Sequence, residues 1–245
     1  MLFELHPSAA SLACDRHHRP DLSDETTSGK TMPIADLLLD GMQLANKRYE
    51  RWTGGWWITD VGVERYVVST ILETLHHNLP RRQVSVSELS FEHIVWWSGR
   101  NPRPGRPRGN MNDGNRCDIV ILSPRGRPIH VVEVKRNWDE DNSLLDLRRI
   151  RDLLLECGPA RDGSLKRGYL TFMIQSSGEN AGQSLKNLSH ERSEIQEGIY
   201  RRFNPNGLQM KFHCGAKRRW PRRYKGEYNL DWFSCPFCVE LIAIS

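Results

Sequence analysis

Two stretches dense in β-branched and aliphatic residues, Ile119-Val120-Ile121-Leu122 and Val131-Val132-Glu133-Val134, flank Ser123-Pro124-Arg125-Gly126-Arg127-Pro128. Runs of this kind predict strands, and the Ser/Pro/Gly-rich segment between them predicts a turn. Their near-continuous apolar character argues for a central hairpin covered on both faces rather than an exposed one. Into this setting the sequence inserts Asp118, Glu133 and Lys135. Side chains alternate along a strand, so Glu133 and Lys135 share a face. A symmetric turn about Arg125-Gly126 sets Asp118 opposite Glu133, with Cβ atoms roughly 4.5–5.5 Å apart.

Two carboxylates placed this way repel, and like charges facing each other across strands destabilise a sheet. A divalent cation removes the conflict. Carboxylate oxygens suit Mg²⁺ or Mn²⁺, which keep several waters and also meet phosphate oxygens. Lys135, on the same face, is placed to orient a water or to neutralise developing negative charge. The competing reading is an ordinary amphipathic hairpin with Glu133 and Lys135 as an exposed pair. The register of Asp118 and the apolar flanks weigh against it.

The remaining chain mixes helical and strand periods, which predicts an α/β or α+β class. Residues 1–31 read as a disordered leader, with Met32 as a candidate true start. Helices are expected over Pro33–Tyr49, from a Thr59 or Asp60 cap to about Asn78, over Leu144–Glu156 behind an Asn142 or Ser143 cap, and over His190–Phe203. Gly41 is a blemish in the first of these, and Arg51–Trp57 reads as a turn-like segment. Strands are expected at Val84–Leu89, His93–Trp97, Arg116–Leu122, Ile129–Arg136, Tyr169–Gln175, Leu208–His213 and Val239–Ile244.

In this order, from about Thr59 to Gln175, the chain resembles the PD-(D/E)XK superfamily of restriction-endonuclease-like nucleases. The resemblance rests on a leading helix bearing Glu64, the Asp118 strand, the Glu133-Val134-Lys135 strand, and a helix then strand after it. It implies an α/β fold with a restriction-endonuclease-like mixed central β-sheet flanked by helices. It further implies Mg²⁺ (or Mn²⁺) bound by Asp118, Glu133 and Glu64, a catalytic Lys135, and cleavage of phosphodiester bonds, with DNA as the expected substrate. Cys117 stands where the motif carries proline. Glu64 would also be favourable in a helix's first turn with no function at all. Asp113 and Gln175 are further candidates. A nuclease-like domain over residues 32–205 would then carry a basic C-terminal extension, 206–245, packed on the same domain.

The formal net charge is +5, too modest by itself to identify a polyanionic partner, so the distribution matters more. Arg100, Arg103, Arg106 and Arg108 fall in a Pro/Gly loop without acids. Lys217, Arg218, Arg219, Arg222, Arg223 and Lys225 are interleaved with Trp220 and Tyr224. Both clusters suit phosphate contacts, the second with base stacking, and both could equally be solvated connections. Trp52, Trp56 and Trp57 are expected mainly in the core.

Six cysteines are too few and scattered for a disulfide framework. Cys117 and Cys157 are expected in the core. Cys235-Pro-Phe-Cys238 is half a zinc site, and the adjacent His213-Cys214 is poor second-pair spacing, so zinc is not expected. No signal peptide or membrane span is apparent, which predicts a cytoplasmic protein with a nucleic-acid partner, and a homodimer or a targeting protein as a further partner. Two alternatives stand beside the nuclease. One is a non-catalytic nucleic-acid-binding or assembly protein retaining the fold, and the other is a docking module built on the Trp cluster and a zinc clip.

Overall fold

The structure is a computed structural model that describes residues 32–99, 115–219 and 230–244. Its centre is the hairpin that the apolar runs require, β2 (Arg116–Leu122) and β3 (Pro128–Asn137). The two pair antiparallel with Ile119 opposite Val132 and Val120 opposite Val131, the register expected from the turn at Arg125-Gly126. On the outer side β1 (Val84–Ser90) pairs antiparallel with β2. On the inner side β4 (Arg167–Gly178) pairs parallel with β3. A parallel pair needs a crossover, and it is supplied by α5 (Glu140–Cys157), the helix between the two strands.

β5 (Gln209–Cys214), β6 (Arg218–Arg219) and β7 (Asp231–Ile242) complete a mixed sheet of seven strands among the described residues. Its order is β1-β2-β3-β4-β7-β5, with β6 also on β7. The C-terminal segment is therefore integral to the sheet, because β7 lies between β4 and β5.

Helices cover both faces, making the fold α/β. On one face α1 (Ile34–Thr53) and α3 (Glu64–Asn78) bury Leu37, Leu38, Met42, Val67 and Ile71 against Ile119, Ile121, Val132, Val134 and Tyr169. On the other, α5 and α6 (Ala181–Arg202) bury Leu147, Ile150, Leu188 and Ile199 against Val120, Val131, Phe172 and Phe237. Strand neighbours thus alternate between the two cores, the period of two that a doubly covered strand demands. Gly41 is no blemish. A Cβ there would stand 2.9 Å from Ile71 Cα, so its absence lets α1 lie against α3.

Several local expectations need correction. His93–Trp97, expected as a strand, belongs to α4 (Phe91–Trp97). Ser90 caps it by accepting the His93 N–H, and Phe91 and Ile94 are buried at helical spacing while Trp96 and Trp97 face outward. A short apolar run fits either period, and the cap decides. The helix expected from Thr59 onward is two pieces, α2 (Ile58–Val61) and α3, broken at Gly62. α5 begins earlier than Asn142 because Asp139 accepts the Asn142 N–H at 3.1 Å. β7 begins well before Val239 and runs through Pro236, whose carbonyl accepts the Gly215 N–H where the neighbouring strand changes from β5 to β6.

α1 also runs past Tyr49 into the first three residues of the turn-like segment, and Gly54 caps it in the left-handed conformation (φ 72°). Trp57 is fully buried, but Trp52 and Trp56 are exposed, so the core role expected for the three holds for one. Among the described residues no helix is long and apolar enough to cross a membrane.

Candidate active site

Past the Ile119–Val132 pair the β2–β3 ladder gives way to a side chain. Asp118 Oδ2 accepts the backbone N–H of Val134 at 2.7 Å, which ties the acid to the strand carrying Glu133 and Lys135. Glu133 projects on the α5 face with Val131, and the Asp118 and Glu133 carboxyls meet within hydrogen-bonding reach. Beyond Val134, β3 breaks step with β4: Val134 pairs with Thr171, but the next pair is Asn137 with Met173. This shift frees the Arg136 N–H, which donates to Glu64 Oε2 at 3.3 Å. The helix break at Gly62 makes this possible, since it places Glu64 at the first residue of α3, and the Gly62 carbonyl accepts Arg136 Nη1 at 3.1 Å.

Lys135 Nζ lies 3.0 Å from Asp146 Oδ2 and 3.9 Å from Glu64 Oε1. The structure therefore brings together all four residues expected from sequence, Glu64, Asp118, Glu133 and Lys135, and adds a fifth. Asp146, on α5, is 3 % exposed and also accepts from Arg149 at 2.9 Å. Sequence reasoning missed it, although a signal was available. Ser143, Asp146, Ile150, Leu153 and Cys157 recur at helical spacing, so Asp146 is an acid on a buried stripe.

The electrostatics follow from crowding partly and largely buried acids together. Burial first, then the Asp118 and Asp146 charges, raise the Glu133 carboxyl well above its ordinary range. Burial also raises Asp118, against the opposing pull of the Val134 N–H and Lys135. Glu64 is raised by burial too, with Lys135 opposing. Lys135 feels burial pulling it down, but Asp146, Glu64 and Glu133 outweigh this and hold it above its usual value. The neighbouring Cys117 thiol is raised by burial and by Glu133, so it stays protonated and inert.

Two carboxyls in mutual contact, both raised in pKa, are the donor type that suits a hard cation. Asp118 and Glu133 fit that role by chemistry. Glu64 instead engages Lys135 and the Arg136 N–H, and among the described residues no group of three or more His, Cys, Asp or Glu stands in metal-holding geometry.

The other candidates are less concentrated. Arg100, Arg103, Arg106, Arg108, Asp113, Arg222 and Arg223 lie outside the described residues. Lys217 is exposed. Arg218 pairs with Glu50, and Arg219 with Asp231 at 2.8 Å, so both are anchored to the fold by acids. Gln175 accepts from Thr59 Oγ1 at 2.5 Å. Cys235 and Cys238 face the two different cores, as residues three apart on a strand must, and His213 is bonded to Glu240 at 2.9 Å. No protein family, no curated protein and no solved structure matches this chain.

Proposed function

We propose that this chain is a Mg²⁺-dependent nuclease of the PD-(D/E)XK type, a cytoplasmic endonuclease that hydrolyses phosphodiester bonds of DNA. One observation carries the reading: Asp118, Glu133 and Lys135 converge where β3 parts from β4, with Glu64 and Asp146 closing round them. The ends of sheet strands at such irregularities are where α/β proteins place ligands. Asp118 and Glu133 would hold the cation, which would lower the pKa of a water and offset phosphate charge.

The chain's own groups do the rest. The Val134 N–H keeps Asp118 oriented and favours its charged form against the effect of burial. Lys135 stays protonated, and its Nζ donates to a phosphate oxygen as negative charge builds there. Asp146 and Glu64 hold that ammonium beside the two carboxyls. The basic segments, Arg100–Arg108 and Lys217–Arg223, are proposed to hold the backbone, and a second copy or a partner protein to supply targeting.

The test is cleavage of plasmid and linear DNA with Mg²⁺, by wild type and by Asp118→Ala and Lys135→Ala. Each variant should lose activity by about 100-fold or more, the scale for removing one such group. Equal cleavage by all three would sink the assignment.

A second reading, a non-catalytic nucleic-acid-binding or assembly protein of this fold, draws on the Lys135–Asp146 ion pair, which satisfies the lysine without any substrate. It requires DNA binding that weakens with salt, ignores EDTA and produces no cleavage.

A further inference from the structure

Two cysteines on β5 and β7 stand in a geometry that the proposed hydrolysis does not use. β5 ends at Cys214, opposite Phe237 of β7, and Cys235 lies two residues back along β7 on the same face as Phe237. The two sulfurs are 3.6 Å apart. The Gly215 N–H donates to the Pro236 carbonyl at 2.9 Å, which holds the chain leaving β5 against β7 beside the pair.

The partners are unequal. Cys214 is exposed, whereas Cys235 is 1 % exposed. Contact with Cys235, then Arg192 of α6 and Lys217, push the Cys214 thiol down to about 6 against the effect of burial. Cys235 is raised by the same contact and by burial. The direction of both shifts favours the thiolate on the accessible Cys214 beside a protonated Cys235, in a positive surrounding. Reactive cysteines occupy such places, and buried structural ones do not. Cys117, Cys157 and Cys238 are all fully buried, so they provide internal controls.

We propose that Cys214 and Cys235 form a peroxide-reactive dithiol, with Cys214 the attacking sulfur and Cys235 the resolving one. The Cys214 thiolate attacks one oxygen of a hydroperoxide, a new S–O bond forms and the O–O bond breaks. The departing oxygen takes a proton and leaves as water or an alcohol. The Cys235 sulfur then attacks the Cys214 sulfenic sulfur, the S–O bond breaks, and hydroxide leaves with the Cys235 proton as water. Two thiols lose two electrons and two protons, and the peroxide takes them up. The sulfurs must close from 3.6 Å to roughly 2.05 Å, so forming the bond requires the end of β5 to move toward β7. The product staples the end of β5 to β7, and dithiol reagents reverse it.

The experiment uses the full chain, treated with stoichiometric hydrogen peroxide at neutral pH, alkylated, digested without reductant and mapped by mass spectrometry. Wild type should lose two thiols, yield one cross-linked peptide joining Cys214 to Cys235, and recover both thiols with dithiothreitol. Cys235→Ser should stop at a sulfenic acid on Cys214 that dimedone traps, and Cys214→Ser should leave Cys235 unoxidised. The wild-type map stands alone if either variant fails to fold. The proposal is overturned if both thiols survive peroxide that consumes free glutathione, if Cys214 pairs with another cysteine, or if Cys235 oxidises as fast without Cys214.

Discussion

Lys135 and Asp146 meet at 3.0 Å, a strand lysine and a helix acid brought together by the crossover from β3 to α5. The carboxylate is almost wholly buried while the ammonium keeps some contact with water. Removing one member of a buried pair strands the other, and costs about 3–5 kcal/mol when both are dry. Here solvent reaches Lys135, so Asp146→Asn should cost on the order of 1–3 kcal/mol in urea denaturation. The same variant should lower nuclease activity by loosening Lys135, and Asp146→Glu should recover part of it. Unchanged stability in Asp146→Asn would show the pair to be incidental.

The crowded acids predict a trade between stability and site chemistry. The folded-state pKa values of Glu133, Asp118 and Glu64 are all raised. In the acid range the folded state therefore retains protons that the unfolded chain has released. Their contribution is full below the ordinary carboxylate range, near 4, and is lost as pH rises through the raised values. At pH 7 without divalent ions, Glu133→Gln should then stabilise the protein, by about 0.5–2 kcal/mol. Mg²⁺ should raise the melting temperature of wild type and leave that of Glu133→Gln unmoved. A Glu133→Gln protein less stable than wild type in EDTA would contradict this.

His130 runs the opposite way. Burial, then Arg167 and Lys166, hold it down to about 4, so the folded protein keeps it neutral. The unfolded chain takes up a proton near pH 6.5 and the folded chain does not until about 4. Stability from this group is present above pH 6.5 and is lost as pH falls toward 4, by on the order of 2–3 kcal/mol. His130→Gln should flatten that part of the stability profile in denaturant titrations at pH 7, 6 and 5. A parallel profile in the variant would remove His130 from the account.

Gly41→Ala tests the contact between α1 and α3. Alanine is the better helix former, by roughly 1 kcal/mol in an open site. The added Cβ would meet Ile71 Cα at 2.9 Å, however, and overpacking of this kind costs about 1–3 kcal/mol. A net loss in thermal or chemical denaturation is expected, larger for Gly41→Val. A gain for the alanine variant would mean that the helices separate freely.

Much of the site was legible because its partners are close along the chain. A tight turn and a period of two fix which residues of β2 and β3 face each other, so the Asp118–Glu133 relationship follows from local sequence. Glu64 was legible as an acid opening a helix, but its approach to Lys135 depends on the break at Gly62 and on the freed Arg136 N–H. α4 was misread because Ile94-Val95-Trp96-Trp97 satisfies two periods at once.

By itself, then, the amino-acid order determined the covered hairpin, its register and the acid–acid–amine grouping, since hydrophobic pattern and turn chemistry act over a few residues. Tertiary structure alone decided that Asp146 joins Lys135, that β7 lies inside the sheet, that Gly41 sits against Ile71, and that Cys214 meets Cys235. Those contacts depend on the direction in which a helix or strand returns to the sheet. That direction is set by the summed packing of two cores, and no short stretch of sequence carries it.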